Sequence, residues 1–227
     1  MNFKNKVLLR IQKLLHVLNY LFSKNLDEQK LYKSCLNSNS IIFDVGSNVG
    51  SFINLVSSKN RKTKLKFYAF EPNKELLNLS SNILSSKKHK LELNQLAISS
   101  KIGKATLYVN SISSQSSVLN KPQIMGKIKS QYEVDLITID YFCKLNNIEF
   151  IDLLKIDVEG LELEVLNSAK VLLSEKKVNI IKVEVSSENY YEVFKFLQNL
   201  GYSQIGINNQ TYVENKLELA DYFFKRL

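Results

Sequence analysis

The stretch that decides the fold of this chain is IIFDVGSNVG at residues 41–50, followed by FYAFEP at residues 67–72. Each half is an apolar run of strand length that ends in a polar residue where the backbone has to turn. The pair therefore predicts two consecutive strands of an α/β sheet. Ligands bind at the carboxyl ends of such strands, so the two turns indicate a binding site.

Three residues of these turns indicate what binds there. Gly46 and Gly50 allow tight turning and close approach of a bound molecule to the main chain, and a helix starting near Gly50 presents its free N–H groups to that molecule. Glu71 supplies a carboxylate whose two oxygens can accept both hydroxyls of a ribose. Together these features predict a nucleoside-type cofactor. The alternative is that the glycines serve only a strand-to-helix turn and that Glu71 caps the helix after Pro72.

Missing motifs narrow the choice of nucleoside. A dinucleotide site needs glycines that let the main chain hold a pyrophosphate, and here Asn48 and Ser51 occupy the second and third glycine positions. The G-x-x-x-x-G-K-[ST] loop of nucleoside triphosphate sites is also absent from the sequence. S-adenosylmethionine has a ribose and a zwitterionic methionine tail but no phosphate. It suits a site with Asp44 toward the tail and Glu71 at the sugar.

Length and composition indicate one folded domain. A chain of 227 residues with 44% hydrophobic content is long enough for one α/β core, so we expect a catalytic domain at 37–227 and an N-terminal helical extension at 1–36. No apolar run reaches the ~20 residues that span a bilayer, and the N-terminus lacks a signal-peptide pattern, which predicts a cytoplasmic protein. Cys35 and Cys143 are far apart with only two histidines to join them, so we expect no metal site.

The N-terminal extension is basic. The formal net charge of the chain is +9, and residues 1–36 carry seven basic against two acidic side chains. Residues 5–22 place apolar side chains at helical spacing with Lys6, Arg10 and Lys13 on another side, which predicts an amphipathic helix. Such a helix packs on the catalytic domain or on the partner of a homodimer, or else it binds the inner face of the membrane or an acidic partner.

From residue 40 onward, strand-like runs alternate with helical stretches, which predicts βαβ units and a mostly parallel sheet. The expected strands are 41–45, 65–71, 91–95, 150–156 and 178–185, and the expected helices are 50–58, 73–85, 161–173 and 187–200. Short extended pieces at 104–109 and 133–139 flank a segment at 110–131 that is rich in Ser and Lys. We interpret this segment as a long surface loop, either a lid or binding loop or a disordered stretch. A closing pair of strands is expected within 202–224.

A second charged cluster follows a buried strand at residues 153–160, LLKIDVEG. In a doubly wound sheet this strand lies beside the one that ends at Asp44, across the switch point, so that two acid-bearing strand ends flank one crevice. Lys155, Asp157 and Glu159 are therefore candidate catalytic residues. The alternative for such charged side chains at a strand end is that they are only solvated or salt-bridged.

Five motifs, taken in order along roughly residues 40–185, resemble those of the FkbM-type S-adenosylmethionine-dependent methyltransferases. They are DVGSNVGSF at 44–52, FYAFEPN at 67–73, LNQLAIS at 93–99, VDLITIDYF at 134–142 and IDLLKIDVEGLELEVL at 151–166. The resemblance implies an α/β, Rossmann-like class I methyltransferase fold, with a mostly parallel seven-stranded sheet and helices on both faces. It also implies transfer of a methyl group to an oxygen, often a hydroxyl of a sugar or of a secondary metabolite.

The same resemblance implies roles for single residues. The residues expected to hold the cofactor are Asp44, Gly46, Asn48 and Gly50 around the methionine half, Glu71 at the ribose, Ala97 at the adenine edge, and Asp157. Lys155, Asp157 and Glu159 are expected to line the reacting side. Substrate choice is expected to depend on residues 1–36 and 110–131, which match no motif of the family.

Methyl transfer to a hydroxyl depends mainly on placing the acceptor oxygen in line behind the methyl group, and a base has to remove only the hydroxyl proton. We expect Glu159 to be this base, with Asp157 as the alternative. Lys155 would hold a substrate oxygen or keep its neighbour ionised. His89 precedes a strand, which predicts a position at the opposite end of the sheet.

Two other functions stay open on the sequence alone. The positive charge favours a methyltransferase that acts on nucleic acid or protein, but the N/D-P-P-Y turn and the Pro-Cys nucleophile of nucleic-acid enzymes are absent from the sequence, and the basic stripe is short for a duplex footprint. A non-catalytic scaffold that binds S-adenosylmethionine is the second alternative. We expect the acceptor to be a small molecule or a glycan with a free hydroxyl, lipid-linked glycans included, and not nucleic acid.

Overall fold

The computed structural model of the protein describes residues 26–82, 88–110, 116–118, 128–214 and 216–227. The strands are β1 (Ile41–Val45), β2 (Lys66–Phe70), β3 (Lys90–Asn94), β4 (Ala97–Ile98), β5 (Gly103–Asn110), β6 (Ser116–Val118), β7 (Ile128–Ile137), β8 (Ile151–Ile156), β9 (Val178–Ser186), β10 (Tyr202–Val213) and β11 (Lys216–Arg226). The α-helices are α1 (Glu28–Cys35), α2 (Ser51–Lys59), α3 (Lys74–Leu79), α4 (Ile139–Leu145), α5 (Glu162–Ser168), α6 (Lys170–Ser174) and α7 (Tyr190–Asn199).

The described strands form two sheets. The main sheet has seven strands in the order β10-β11-β9-β8-β1-β2-β3. Only β11, among these strands, runs antiparallel to its neighbours, and the other pairs are parallel. The chain switches direction across the sheet between β1 and β8, so a crevice opens at the carboxyl ends of these two strands. The predicted Rossmann-like α/β fold with a mostly parallel seven-stranded sheet is confirmed.

A second sheet of four strands, in the order β4-β7-β5-β6, follows β3 in the chain. The sequence predicted two of these strands as short extended pieces and interpreted residues 110–131 as a structureless loop. That interpretation is wrong where the segment is described, because Ser116–Val118 and the start of β7 both pair with β5. Backbone pairing with a neighbour, which polar composition does not reveal, makes these residues strands. The remaining residues of the segment lie outside the described ones.

Side chains of the central strands alternate between two apolar cores, because successive residues of a strand point to opposite faces of the sheet. Phe43 lies in the core that contains α4, α5 and α7, with its ring 5.8 Å from that of Phe142. Ile42 lies in the other core with α1 and α2, where the rings of Tyr32 and Phe52 are 6.1 Å apart. Burial on both faces explains why β1 and β2 are continuous apolar runs. It also confirms the predicted helices on both faces.

Helix α1 belongs to the stretch that the sequence assigned to an N-terminal extension. Its N-cap is Asp27, whose side chain accepts from the Lys30 N–H at 3.0 Å. Tyr32 is fully buried against the sheet, and its hydroxyl donates to Glu28 at 2.8 Å. This part of the extension therefore packs on the catalytic domain. The basic helix predicted at residues 5–22 lies outside the described residues. Over the part of the chain that is described, no helix has the length and apolarity needed to cross a bilayer.

The helix predicted at 161–173 is divided into two, α5 and α6, which meet at the fully buried Ala169. The carboxylate of Asp140, in α4, accepts the N–H groups of Val171 and Leu172 at 2.9 and 3.1 Å. These N–H groups belong to the first turn of α6, where a helix has donors without partners of its own. A side chain from another helix thus starts α6, and a contact of that kind is invisible in the local pattern.

We expect Tyr32→Ala to lower the free energy of unfolding by about 3–5 kcal/mol, because it removes a fully buried aromatic ring and leaves a cavity. Urea unfolding followed by circular dichroism measures this change. Lys33→Ala, on the exposed side of the same helix, serves as the control and should change stability by less than about 0.5 kcal/mol. Equal urea midpoints for Tyr32→Ala and the wild type would mean that α1 is not part of the folded core.

Candidate active site

The turn after β1 touches the turn after β8, main chain against main chain. Gly46 has a φ of +72°, and a Cβ at this position would lie 1.8 Å from the carbonyl oxygen of Asp157. Position 46 therefore requires glycine both for its backbone conformation and for the space. The N–H of Asp157 donates to the carbonyl of Val45 at 3.1 Å, which holds the two turns together.

Glu71, directly after β2, joins the turns on the other side of β1. Its Oε2 accepts from the Asn48 N–H at 2.9 Å, and its Oε1 accepts from the Asn73 N–H at 2.8 Å. Burial raises the pKa of the Glu71 carboxyl above its usual value, and the two N–H donors oppose this shift. Each carboxylate oxygen can accept a second hydrogen bond. Because Glu71 also lines the cavity described below, it can receive hydroxyl groups from a bound molecule.

Lys155, at the end of β8, lies beneath the turn that follows β1. Its ammonium group is 3.0 Å from Asp44 Oδ1 and 3.3 Å from Asp157 Oδ2, and it donates to the Gly46 carbonyl at 2.8 Å. Burial lowers the pKa of Lys155, but the charges of Asp44 and Asp157 outweigh this effect and raise it overall. Burial raises the pKa of Asp44, and Lys155 opposes that rise. A buried ammonium with these partners stays charged and holds the two turns and Asp157 in place.

A cavity of about 470 Å³ opens at this edge of the main sheet. Small-molecule sites typically have volumes of about 300–1,000 Å³. Toward β3 the wall is apolar and consists of Phe70, Leu76, Leu96, Ala97, Ile98 and Leu136. Toward β9 the wall carries the carboxyl groups of Asp157, Glu159 and Glu184. Lys101, Lys104 and Glu164 also line the cavity. The wall is thus apolar toward β3 and carries three carboxyl groups toward β9.

The structure brings together most of the residues that the sequence singled out. The predicted residues that line the cavity are Gly46, Asn48, Glu71, Ala97, Asp157 and Glu159. Asp44, Gly50 and Lys155 are buried behind this wall. His89 lies near the opposite end of the sheet, as predicted, where its Nδ1 accepts from the N–H of Leu65, the residue before β2.

Four charged residues of the cavity wall were not predicted as site residues. Glu184 lies near the end of β9 within IIKVEV, and a carboxylate in so apolar a strand is a signal that the sequence did contain. Glu164 lies in the first turn of α5, where acids are common because they suit a helix N-terminus. Its Oε2 accepts from the Ser100 hydroxyl at 2.6 Å, and it lines the cavity. Lys101 and Lys104 come from the second sheet, which no motif indicated.

Several carboxyl groups at or near the acidic end of the cavity have raised pKa values. Burial raises the pKa of Glu184 to about 8, and the charge of Asp157 and a hydrogen bond to Asp157 add to this effect. Partial desolvation, followed by the charge of Asp157, raises the pKa of Glu159. Burial also raises the pKa of Glu162, whose Oε1 accepts from the Gly160 N–H at 2.7 Å. A carboxyl group with a pKa of about 8, as in Glu184, can exchange a proton with a substrate near neutral pH.

No group of three or more His, Cys, Asp and Glu side chains within the described ranges is arranged to hold a metal ion. The expectation of a metal-free enzyme stays a prediction. The residues present do fit S-adenosylmethionine. Glu71 offers free acceptor capacity for a ribose, the wall toward β3 is apolar enough for an adenine, and the carboxylates toward β9 favour a positively charged sulfonium over a phosphate.

Comparison with known proteins gives a family match. The model described as "Methyltransferase FkbM domain" matches residues 44–203. The comparison with curated proteins finds no match to this chain.

Three of the similar solved structures are described as methyltransferases or methylases. An FkbM methyltransferase from Methylobacillus flagellatus KT is 16% identical with a TM-score of 0.49, and the alignment covers 83% of this chain and 44% of that one. This chain thus spans less than half the length of that relative. An rRNA methylase from Streptococcus thermophilus is 12% identical with a TM-score of 0.49, with 88% and 94% covered. A TehB-like S-adenosylmethionine-dependent methyltransferase from Corynebacterium glutamicum is 10% identical with a TM-score of 0.45, with 96% and 97% covered.

The matched residues 44–203 make up most of the chain and contain the turns after β1, β2 and β8 and the end of β9. This protein therefore belongs to the FkbM family of S-adenosylmethionine-dependent methyltransferases.

Proposed function

We propose that this methyltransferase acts on a hydroxyl group of a sugar, of a glycan, lipid-linked glycans included, or of a secondary metabolite. The observation that carries the proposal is the acidic end of the cavity, where Asp157, Glu159 and Glu184 lie at the carboxyl ends of β8 and β9. A neutral hydroxyl is a weak nucleophile, and a carboxylate beside it can remove its proton as the oxygen–methyl bond forms.

Some residues of the chain would bind the cofactor, and others would hold the reacting groups in place. Glu71 would hold the ribose hydroxyls, Ala97 the adenine edge, and the turn from Gly46 to Asn48 the methionine half. When bound, S-adenosylmethionine supplies an electrophilic methyl group. Lys155, behind the cavity wall, would hold Asp157 and the first turn in place through the contacts described above.

The charge of the cavity supports a hydroxyl acceptor over a nucleic acid. Nucleic-acid binding depends on neutralising phosphates with Lys and Arg, but the end of the cavity toward β9 carries three carboxyl groups. Seven of the basic side chains that make the protein cationic lie in residues 1–36, away from these strand ends in sequence. Negative charge at the reacting end repels a phosphate backbone.

We further propose a cytoplasmic protein whose basic residues ahead of α1 contact the inner face of the membrane or a second copy of the chain. The support is the amphipathic pattern of residues 5–22. Contact with the membrane would bring a lipid-linked acceptor near the active site.

An acceptor panel with S-adenosylmethionine labelled with ¹³C in the methyl group tests the proposed reaction. The panel contains free sugars, oligosaccharides, lipid-linked glycans, hydroxylated small metabolites, an rRNA fragment and a peptide, each in a separate reaction. We expect S-adenosylhomocysteine to accumulate and the carbon spectrum to show a methyl–oxygen bond only in hydroxyl-bearing sugar, glycan or metabolite reactions. Transfer to RNA or peptide would contradict the proposal, and so would cofactor binding without transfer to any hydroxyl acceptor.

Glu71→Ala tests the placement of the ribose. Because it leaves buried donors without an acceptor and removes the hydroxyl contacts, we expect S-adenosylmethionine affinity to fall by about 1–3 kcal/mol, which is roughly 5- to 150-fold in Kd. Isothermal titration calorimetry measures the affinity. Glu75→Ala is the matched control, because Glu75 has an exposed side chain in α3 and does not line the cavity. Unchanged affinity in folded Glu71→Ala protein would remove the ribose from this position.

A further inference from the structure

Two carboxyl groups from neighbouring strands meet at the acidic end of the cavity. Ile156 of β8 pairs in register with Val183 of β9, so the next residues, Asp157 and Glu184, lie opposite each other. Their carboxyl groups share a hydrogen bond, and both side chains line the cavity. A hydrogen bond between two carboxyl groups requires a proton on one of them, because ionised carboxylates only accept. The pair is therefore a proton-holding unit on the cavity wall.

The strand order sets Glu184 on the acceptor side. Glu71 follows β2, and the order from there is β2-β1-β8-β9. Neighbouring strands lie about 4.8 Å apart, so β9 is roughly 14 Å from β2 along the rim. If the ribose binds at Glu71 and the methionine half at the β1 turn, the reactive end of the cofactor would point toward β8 and β9. Glu184 would then lie on the acceptor side of the cavity.

The groups that face Glu184 come from two neighbouring elements and are mostly acidic. Asp157 and Glu159 belong to the turn after β8, and Asp221 is the register partner of Glu184 on β11. The nearby ammonium groups are engaged elsewhere. Lys155 contacts Asp44 and Asp157, and Lys182 contacts Asp221 at 2.8 Å and Glu28 at 3.4 Å. Glu184 thus meets negative charge and partial burial, which together raise its pKa.

Glu159, the base expected from the sequence, has a different environment. It lies in the turn after β8 with a φ of +52°, and its side chain is exposed to solvent. The pKa of Glu159 is raised as well, so the two residues differ mainly in how each side chain is held. Glu184, in contrast, is half-buried in a strand between β8 and β11 and is held by Asp157. A base has to be held within hydrogen-bond reach of the proton it removes, and a paired side chain in a central strand meets that condition better.

We propose that Glu184 is the catalytic base of the methyl transfer and that Asp157 is its hydrogen-bonding partner, an inference that rests on the hydroxyl acceptor proposed above. The acceptor O–H gives its proton to the Glu184 carboxylate while its oxygen forms the bond to the methyl carbon. The methyl–sulfur bond breaks, and its electron pair stays on the sulfur. The products are a methyl ether, S-adenosylhomocysteine and a protonated Glu184, which returns its proton to solvent.

The first test compares Glu184→Gln with the wild type under saturating S-adenosylmethionine and the acceptor found in the panel. We expect kcat to fall by about 10²- to 10⁴-fold, the usual contribution of a general base, while cofactor affinity measured by calorimetry stays within about twofold of the wild type. Glu188→Gln makes the same chemical change at an exposed residue outside the cavity wall and should leave both values unchanged. Glu184→Asp keeps a carboxylate and should recover part of the lost rate.

The second test follows the proton itself. Wild-type kcat should rise with pH up to about 8, because Glu184 must be ionised to act as a base, and Glu184→Gln should lack this rise. Measuring the free energy of unfolding gives a second readout that does not depend on catalytic activity. A carboxyl group whose pKa is higher in the folded than in the unfolded state binds its proton more tightly when folded. Wild-type protein should therefore lose stability relative to Glu184→Gln as pH increases from 4.5 to about 8.

The outcomes separate the two proposals. A wild-type enzyme that transfers methyl groups, together with a Glu184→Gln variant of equal kcat or with an unchanged pH–rate profile, would overturn Glu184 as the base and leave the proposed function intact. A stability difference that does not change with pH would also overturn it. A wild type that transfers to no hydroxyl acceptor would overturn both proposals.

Discussion

The buried ammonium group of Lys155 is the interaction on which the rim of the sheet depends. It joins β8 to the turn after β1 by contacting Asp44, Asp157 and the Gly46 carbonyl at once. A charge without partners is expensive to bury, so this side chain fixes the positions of the groups around it. At the same turn, the Gly46 main chain lies where no Cβ fits against Asp157. The ion pair and the close main-chain approach together give the turn after β1 one conformation.

This ion pair is part of a longer row of charges across one face of the sheet. Asp44, Lys155 and Lys182 are register partners on β1, β8 and β9, and Lys182 continues the row to Asp221 of β11 and Glu28 of α1. Losing one partner of a buried pair typically costs about 3–5 kcal/mol, although the complete pair stabilises a fold little more than apolar residues would. The row therefore specifies how strands and α1 are arranged. One member of the row, Asp221, also faces Glu184.

Local sequence features predicted most of the fold and much of the cavity wall. The apolar runs of β1 and β8 and the residues at their carboxyl ends were found from strand length, turn residues and family motifs alone. Other features depended on partners that are distant in sequence. Asp140 starts α6 from another helix, and β5 makes strands of residues whose polar composition predicted a loop. Glu184 belongs to the wall because β9 is the neighbour of β8.

By itself, the sequence determined the class of fold, the family and the cofactor, because glycines, acids and apolar runs at fixed spacing act within a few residues of one another. Only the tertiary structure decided which charged side chains face the cavity and which lie behind it. Lys155 and Asp44 form an ion pair behind the cavity wall, whereas Glu184 contacts Asp157 at the wall itself. Local sequence patterns do not show which parallel strands become neighbours. Charged residues that are far apart in the chain therefore come into contact only after the sheet has formed.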